Sequence, residues 1–217
     1  QLLNEVDEKE LESLFTDPNW CAQEKYDGVR RLLIHQGNFT VGTNRRGISV
    51  TIPMEVEEAV NSALEGVIRQ PVTTILDGEA IGDTVVIFDI VSEVSFKDRY
   101  NTLTKLKFDG KTLKLAPVAW TTKEKKDLFA RLKKENAEGI VFKNINSKYT
   151  PGRPNSGGNQ LKFKFVETAT CIVTGGNLGK SSVTLAVFDK DGNQVPVGSA
   201  TVYANQQFPS PGAIVEV

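Results

Sequence analysis

Histidine is all but missing from this chain: His35 is the only one among 217 residues. A lone imidazole leaves no Ser/His/Asp or Cys/His set, which excludes hydrolysis by a histidine-activated serine or cysteine. His35 sits at a strand end beside Gln36-Gly37 and reads as a plain surface residue. Cysteine is nearly as scarce. Cys21 and Cys171 lie far apart, match no metal-ligand spacing, and read as reduced, buried thiols. There is no apolar run of membrane length and no signal-peptide pattern. A phosphate loop is missing too. Gly175, Gly176 and Gly179 are followed by Lys180-Ser181, but strand pattern comes next where a P-loop needs a helix, so these glycines read as turns. The first residue is Gln1, so the natural start is expected to lie outside the sequence.

The net charge is −1 and advertises no partner, but its distribution does. Residues 1–24 carry seven acids (Glu5, Asp7, Glu8, Glu10, Glu12, Asp17, Glu24) against Lys9. Residues 97–180 carry 18 bases and 7 acids, a local +11. A single charge run is usually a solvated face. An excess of this size is a field that attracts a polyanion.

A chain of this length buries a core without staples and has room for one large domain or for a domain with a small companion. Residues 5–15 predict a short acidic helix, stopped by Asp17-Pro18-Asn19. Cys21 to Lys25 leads into an Asp27-Gly28 turn, and strands at 29–34 and 39–43 flank the turn Gln36-Gly37-Asn38. After the turn Asn44-Arg45-Arg46-Gly47, Pro53 opens an amphipathic helix over 54–69, with Val56, Val60, Ala63, Leu64, Val67 and Ile68 at helical spacing and Pro71 as its stop. Strands are expected at 72–76 and 84–91, a basic helix or turn over 96–107, and a strand over 113–119. Thr121-Thr122-Lys123-Glu124 fits a capping box for a helix running to about 136. Residues 138–143 turn into a strand, 144–159 form a Pro/Gly loop, and Leu161 to Phe165 alternate so that lysines share one face and aromatics the other. Beyond residue 166 helical periodicity stops. Short strands at 168–174, 182–188, 194–202 and 213–217 come next, with a hairpin turn at Asp191-Gly192-Asn193.

Taken alone, Lys25 in Lys-Tyr-Asp-Gly-Val-Arg is a surface lysine before a turn. As a nucleophile it would need other cations and partial burial, which Lys143, Lys162 and Lys164 would supply if their strands converge. Glu79 and Glu138 are either solvated edge carboxylates or a pair suited to Mg²⁺ bound through waters and phosphate oxygens. Phe88 is core, or an aromatic face for a purine. Lys162 and Lys164 are the wet face of a strand, or a two-point phosphate clamp.

The ordered set Lys25-Tyr-Asp-Gly-Val-Arg30, Asp77-Gly78-Glu79, Val86-Ile-Phe88-Asp89, Glu138-Gly-Ile-Val-Phe-Lys143 and Leu161-Lys162-Phe-Lys164 resembles the motif series of the covalent nucleotidyltransferases, the superfamily of ATP-dependent DNA ligases, RNA ligases and mRNA capping enzymes. Within it the chain looks most like the minimal ATP-dependent DNA ligases of viruses, phages and some bacteria. Only 24 residues precede the lysine, which implies no separate N-terminal DNA-binding domain. Asn44-Arg45-Arg46-Gly47 followed by Pro53 is similar to a second arginine motif of ligases, and Thr170-Cys-Ile-Val-Thr-Gly-Gly to their passage into an OB fold. The resemblance implies an α+β adenylation domain of packed antiparallel sheets and flanking helices over 1–166. A small all-β OB-fold domain over 167–217 would come after it, apparently truncated, with about four of five strands.

The resemblance also implies a division of labour. Lys25 would attack the α-phosphorus of ATP and carry AMP, with Gln23 and Glu24 beside it in the nucleotide pocket. Arg30 and Arg45 would hold ribose and phosphates, Glu79 a ribose hydroxyl or metal-bound water, and Phe88 the adenine ring. Glu79 and Glu138 would hold Mg²⁺, and Lys143, Lys162 and Lys164 would neutralise phosphates. AMP would pass to the 5′-phosphate of a nick in double-stranded DNA, and the 3′-hydroxyl would displace it. A monomer away from any membrane is expected, in the cytoplasm of a bacterium or phage-infected cell, or wherever replicating DNA is. Two departures stand out. Gln23 occupies the place where DNA ligases usually have a base-reading Glu, and the final basic motif would lie beyond Val217, so slower self-adenylation than in a longer chain is expected. An RNA ligase, a capping guanylyltransferase and a non-catalytic nick-binding module are the competing readings.

Overall fold

A computed structural model describes residues 2–67, 72–165, 169–177, 179–203 and 206–217. The chain divides into two compact units, Gln1–Phe165 and Val166–Val217. In chain order the first carries β1 (Asn4–Glu5), a 3-10 turn (Glu8–Glu10), α1 (Leu11–Thr16), β2 (Trp20–Lys25), β3 (Val29–Gln36), β4 (Phe39–Thr43), β5 (Ser49–Val50) and α2 (Met54–Leu64). Then come β6 (Thr74–Ile81), β7 (Thr84–Ile90), α3 (Phe96–Leu103), β8 (Leu113–Leu115), α4 (Thr122–Lys134), β9 (Gly139–Asn144) and β10 (Gln160–Lys164). The second unit carries β11 (Thr170–Gly176), β12 (Ser182–Phe188), β13 (Gln194–Thr201) and β14 (Ile214–Glu216).

Two sheets build the first unit, one ordered β1-β10-β9-β2 and one ordered β5-β4-β3-β6-β7-β8. Their pairs are antiparallel except at two edges, where β1 joins β10 and β8 joins β7 in parallel. This corrects the expectation of antiparallel sheets at those edges. A parallel neighbour needs a long connection, and β8 returns to β7 only after α3 has crossed over. Leu33, Leu76 and Ile87 of the six-stranded sheet pack against Val56, Val60 and Leu64 of α2 and Phe96 and Leu103 of α3. The outer face of the four-stranded sheet, with Ala22, Ile140, Phe142 and Leu161, packs on α1 and α4. Phe129 of α4 meets Phe163 and Phe165 at centroid distances of 5.9 and 5.1 Å, so the alternation after residue 160 puts aromatics on the helix side.

Several elements differ from their sequence signals for local reasons. The acidic segment 5–15 is not one helix. Glu5 is taken into β1 opposite Lys162, and Asp7 and Glu10 form a capping box that restarts the chain as a 3-10 turn. Helix α2 ends at Leu64, because Gly66 turns the chain at a φ of 73°; the expected end at 68–69 and the Pro71 stop lie outside the described residues. Strand β8 ends at Leu115, two residues before Pro117, which has no N–H to donate to a ladder. Helix α4 starts on the Thr121/Glu124 capping box as expected. His35 is not a surface residue. Strand β3 continues through it and carries it to the core face, where it is buried with its Nδ1 3.1 Å from Thr40 Oγ1. Both cysteines are buried and unbridged, and burial pushes the Cys21 thiol up to about 12.

The second unit is one antiparallel sheet ordered β13-β12-β11-β14 over a core of Cys171, Val173, Val183 and Leu185. Its hairpin turn is organised by Asp189, whose Oδ1 accepts from the backbone N–H groups of Asp191 and Asn193 at 2.9 and 2.8 Å.

Candidate active site

A cavity of about 620 Å³ in the first unit is walled by both of its sheets. Strand register decides which side chains enter it. Across the four-stranded sheet Cys21, Lys143 and Gln160 form one row, Gln23, Val141, Lys162 and Glu5 the next, and Lys25, Gly139 and Lys164 the third. Residues opposite one another in a ladder point to the same face, so Gln23, Lys25, Lys143, Lys162 and Lys164 share the cavity side. The convergence that a nucleophilic Lys25 requires is therefore present in the backbone. Glu24 points the other way. Its carboxylate lies 4.0 Å from Arg131 of α4.

Two glycines bring the walls together. A Cβ at Gly139 would run into the Phe163 carbonyl oxygen, so only glycine lets β9 lie this close to β10 opposite Lys25. A Cβ at Gly28 would run into the Ala80 carbonyl oxygen and come within 3.0 Å of Glu79 Cγ. The turn after Lys25 is thus pressed onto β6, which delivers Glu79.

At the centre, Lys25 Nζ lies 2.6 Å from Glu138 Oε2, both side chains being mostly buried. Lys164 Nζ reaches the other oxygen of Glu138 at 3.8 Å. Glu79 faces this cluster. Burial, with help from the like charges of Asp77 and Glu138, raises its carboxyl to about 7 against the pull of Lys25 and Arg30. Arg30 is held in a fork by Asp77, with Nε–Oδ1 at 2.9 Å and Nη2–Oδ2 at 2.6 Å. Tyr149 closes the triangle: its hydroxyl donates to Asp77 Oδ2 at 2.7 Å and accepts from Arg30 Nη2 at 3.1 Å. Asp77 and Tyr149 are not among the candidates that sequence reasoning supplies. Asp77 has a signal in its Asp-Gly-Glu setting, whereas Tyr149 lies in a Pro/Gly loop and has none.

Lys143 forms part of the floor. Its ammonium donates to the Phe88 carbonyl at 2.9 Å, lies 3.5 Å from Asp89 Oδ2, and is pushed to a lower pKa by burial. Asp89 is itself gripped by the buried Arg99 at 2.7 and 3.2 Å. The Phe88 ring is half-buried on the cavity wall, 4.9 Å from the same ammonium. Lys162 pairs with Glu5 at 2.9 Å. Arg45 is exposed at the rim, on a turn that Asn44 fixes by accepting from Arg46 N and Ile48 N at 2.9 and 3.2 Å. Gln23 is fully buried. Its Nε2 donates to Ala116 O at 3.3 Å, which leaves Oε1 without a partner among the described residues.

That orphaned acceptor fits a nucleobase with an exocyclic amine, since a buried oxygen left unpaired costs about 1–3 kcal/mol. For a metal, no group of three His, Cys, Asp or Glu side chains gathers among the described residues. Glu79 and Glu138 alone fit the demand of Mg²⁺, which is commonly held by one or two carboxylates and completes its shell with water and phosphate oxygens.

No family model matches the chain. A DNA ligase of Methanosphaera stadtmanae is 28% identical over an alignment of 196 residues covering 73% of this chain and 35% of that protein. The chain thus spans about a third of the length of the curated relative it matches. A mycobacterial DNA ligase D complexed with ATP superposes with a TM-score of 0.61 at 18% identity, over 84% of this chain and 66% of that one. A structure from work on DNA binding by Lig E DNA ligases, described as a minimal scaffold, gives 0.57 at 18% identity over 100% and 90%. The ATP-dependent DNA ligase of bacteriophage T7, in complex with ATP, gives 0.54 at 14% identity over 91% and 80%. The three structures establish a shared fold.

Proposed function

We propose that this chain, which resembles minimal ATP-dependent DNA ligases in sequence and has their fold, seals nicks in duplex DNA through a lysyl-AMP intermediate. The observation that carries the proposal is the Lys25–Glu138 contact of 2.6 Å at the centre of a cavity that also holds Glu79, Arg30 and Phe88. Lysine attacks only as the free amine, and Glu138 is the group in contact with its proton. The Lys25 nitrogen forms a bond to the α-phosphorus of ATP as the bond to pyrophosphate breaks. Phe88 offers its face to adenine, and the unpaired Gln23 Oε1 accepts from the adenine amine. Arg30, steered by Asp77 and Tyr149, holds ribose and phosphate, and Arg45 adds a cation at the rim. Lys162 and Lys164 offset the charge that builds on the phosphates, and Lys143 sets the field from below. Bound Mg²⁺ would supply charge neutralisation on those oxygens, held by Glu79 and Glu138. AMP then passes to the 5′-phosphate of the nick, and the 3′-hydroxyl displaces it.

The basic excess over residues 97–180 favours a nucleic acid as the second substrate. We read the second unit as a partial OB-type barrel, the enzyme as a monomer, and its place of action as wherever nicked DNA occurs. The test is incubation with radiolabelled ATP or GTP and Mg²⁺. A labelled protein band from ATP that Lys25→Ala abolishes, followed by sealing of nicked DNA in preference to nicked RNA, is expected. No label from ATP, with a pre-adenylated nick left unsealed, would overturn the proposal.

A further inference from the structure

Glu5 is an anion paired with Lys162, a cation that lines this cavity. Its carboxylate lies 2.9 Å from Lys162 Nζ. It also feels Lys164 and Arg153, and the three cations, Lys162 foremost, hold it below the usual carboxylate range. Arg153 lines the same cavity from the loop between β9 and β10. Glu5 is placed there by backbone and side-chain bonds. Strand β1 sets Glu5 level with Lys162, and Val6 N donates to Lys162 O at 3.0 Å. Asn4 Nδ2 donates to Pro154 O and Gly157 O at 2.9 and 2.8 Å, and Leu2 N to Gly152 O at 2.8 Å. The backbone of β1 is therefore fixed while the Glu5 side chain, 64% exposed, remains able to swing into solvent. Lys162, only 18% exposed, has less room to leave.

We infer that Lys162, Lys164 and Arg153 form a phosphate subsite that Glu5 occupies from within, and that a phosphate group enters by displacing the Glu5 carboxylate. The inference rests on the reading of Lys162 as a phosphate-binding lysine and deepens it. Glu5 acts as a built-in competitor. It keeps two or three converging cations from repelling one another when the cavity holds no phosphate, and it gives way to a doubly charged group that makes more bonds. A carboxylate this exposed competes weakly, so the expected effect of removing it is about two- to fivefold in affinity.

The probe is inorganic tripolyphosphate, titrated calorimetrically at low salt into the full chain and its variants, each checked for an unchanged melting curve. Glu5→Gln should bind it about two- to fivefold more tightly than the parent. Lys162→Met should bind it more weakly, and in that background Glu5→Gln should add little. The gain should shrink at high salt, where exposed charges are screened. Unchanged or weaker binding by Glu5→Gln overturns the inference, because a carboxylate that merely positions Lys162 would be missed when removed. Two further ligands identify the source of the phosphate. A gain with ATP assigns the subsite to the nucleotide, and a gain only with a nick carrying a 5′-phosphate, not a 5′-hydroxyl, assigns it to the nucleic acid. Labelling by ATP separates this inference from the enzymatic reading. Lysyl-AMP formation with no Glu5 effect sinks the subsite alone, and a Glu5 effect without lysyl-AMP sinks the ligase reading alone.

Discussion

Replacing Lys25 by arginine keeps a positive charge opposite Glu138 yet should abolish labelling by ATP, because a guanidinium does not give up its proton at working pH. The outcome to look for is a folded protein with normal melting behaviour and no labelled band. Retained label would mean that another residue carries the nucleotide. Glu79 invites a different measurement. Its carboxyl sits at about 7 in the folded protein against an ordinary 4.5, so the folded state holds a proton that the unfolded chain has released. Stability should therefore fall as pH rises from about 4.5 to 7 and stay reduced above that. Glu79→Gln removes the dependence and should stabilise the nucleotide-free protein at pH 8 by about 1–2 kcal/mol, allowing for solvent screening, with little effect near pH 4. Urea unfolding at the two pH values checks it. How far single residues can be read from sequence shows in β2. Sequence reasoning takes Cys21 to Lys25 only as a lead into a turn and puts Glu24 in the nucleotide pocket. As a strand the segment alternates, with Gln23 and Lys25 on one side and Glu24 on the other, so the outward turn of Glu24 is not legible until the strand is known. The grip of Asp77 on Arg30 is not legible either, because the two residues lie 47 positions apart and nothing local announces the fork.

Elements are more legible than their joints. The capping box of α4, the hairpin of β3 and β4 and the alternation of β10 are written in adjacent residues, and each forms, although β3 runs on through His35 and Gln36 past its expected end. The join between α1, β2 and α4 is made by Lys125, which reads in sequence as one more cation on a basic helix. In the structure it is buried, and its ammonium donates to the carbonyls of Leu14, Asp17 and Trp20 at 2.9, 2.8 and 2.7 Å. It therefore closes the carboxyl end of α1 and fixes the start of the strand that carries Lys25. Lys125→Met should lower stability by about 2–4 kcal/mol, since one buried and two half-buried acceptors lose one charged donor. A drop in the urea midpoint together with slower labelling of Lys25 is the expected pair of results. Unchanged labelling would show that β2 keeps its place without this tie. His35 escapes a reading from sequence for the same reason as Lys125: a polar residue at the end of an element carries no mark of what the next strand will lay over it.

Across the whole molecule the charge is divided unequally. Residues 166–217 hold two lysines against four acidic residues, whereas the basic excess lies in the stretch that builds α3, α4, β9 and β10. Affinity for nicked duplex should fall steeply with salt. Arg153→Gln with Lys162→Gln should flatten the plot of log affinity against log salt by about one for each phosphate no longer neutralised, and Lys180→Gln with Lys190→Gln should barely change it. Fluorescence anisotropy with a labelled nick measures both slopes, and equal flattening by the two pairs would contradict the assignment. The two cysteines set a last whole-molecule property. Cys21 and Cys171 are sealed in the cores of different units, and the Cys21 thiol is held up at about 12. Folded protein should therefore ignore maleimide reagents that modify both thiols in denaturant. The natural background is already silent, so a single Ile48→Cys at the exposed mouth of the cavity would take one dye and signal nucleotide arrival in real time.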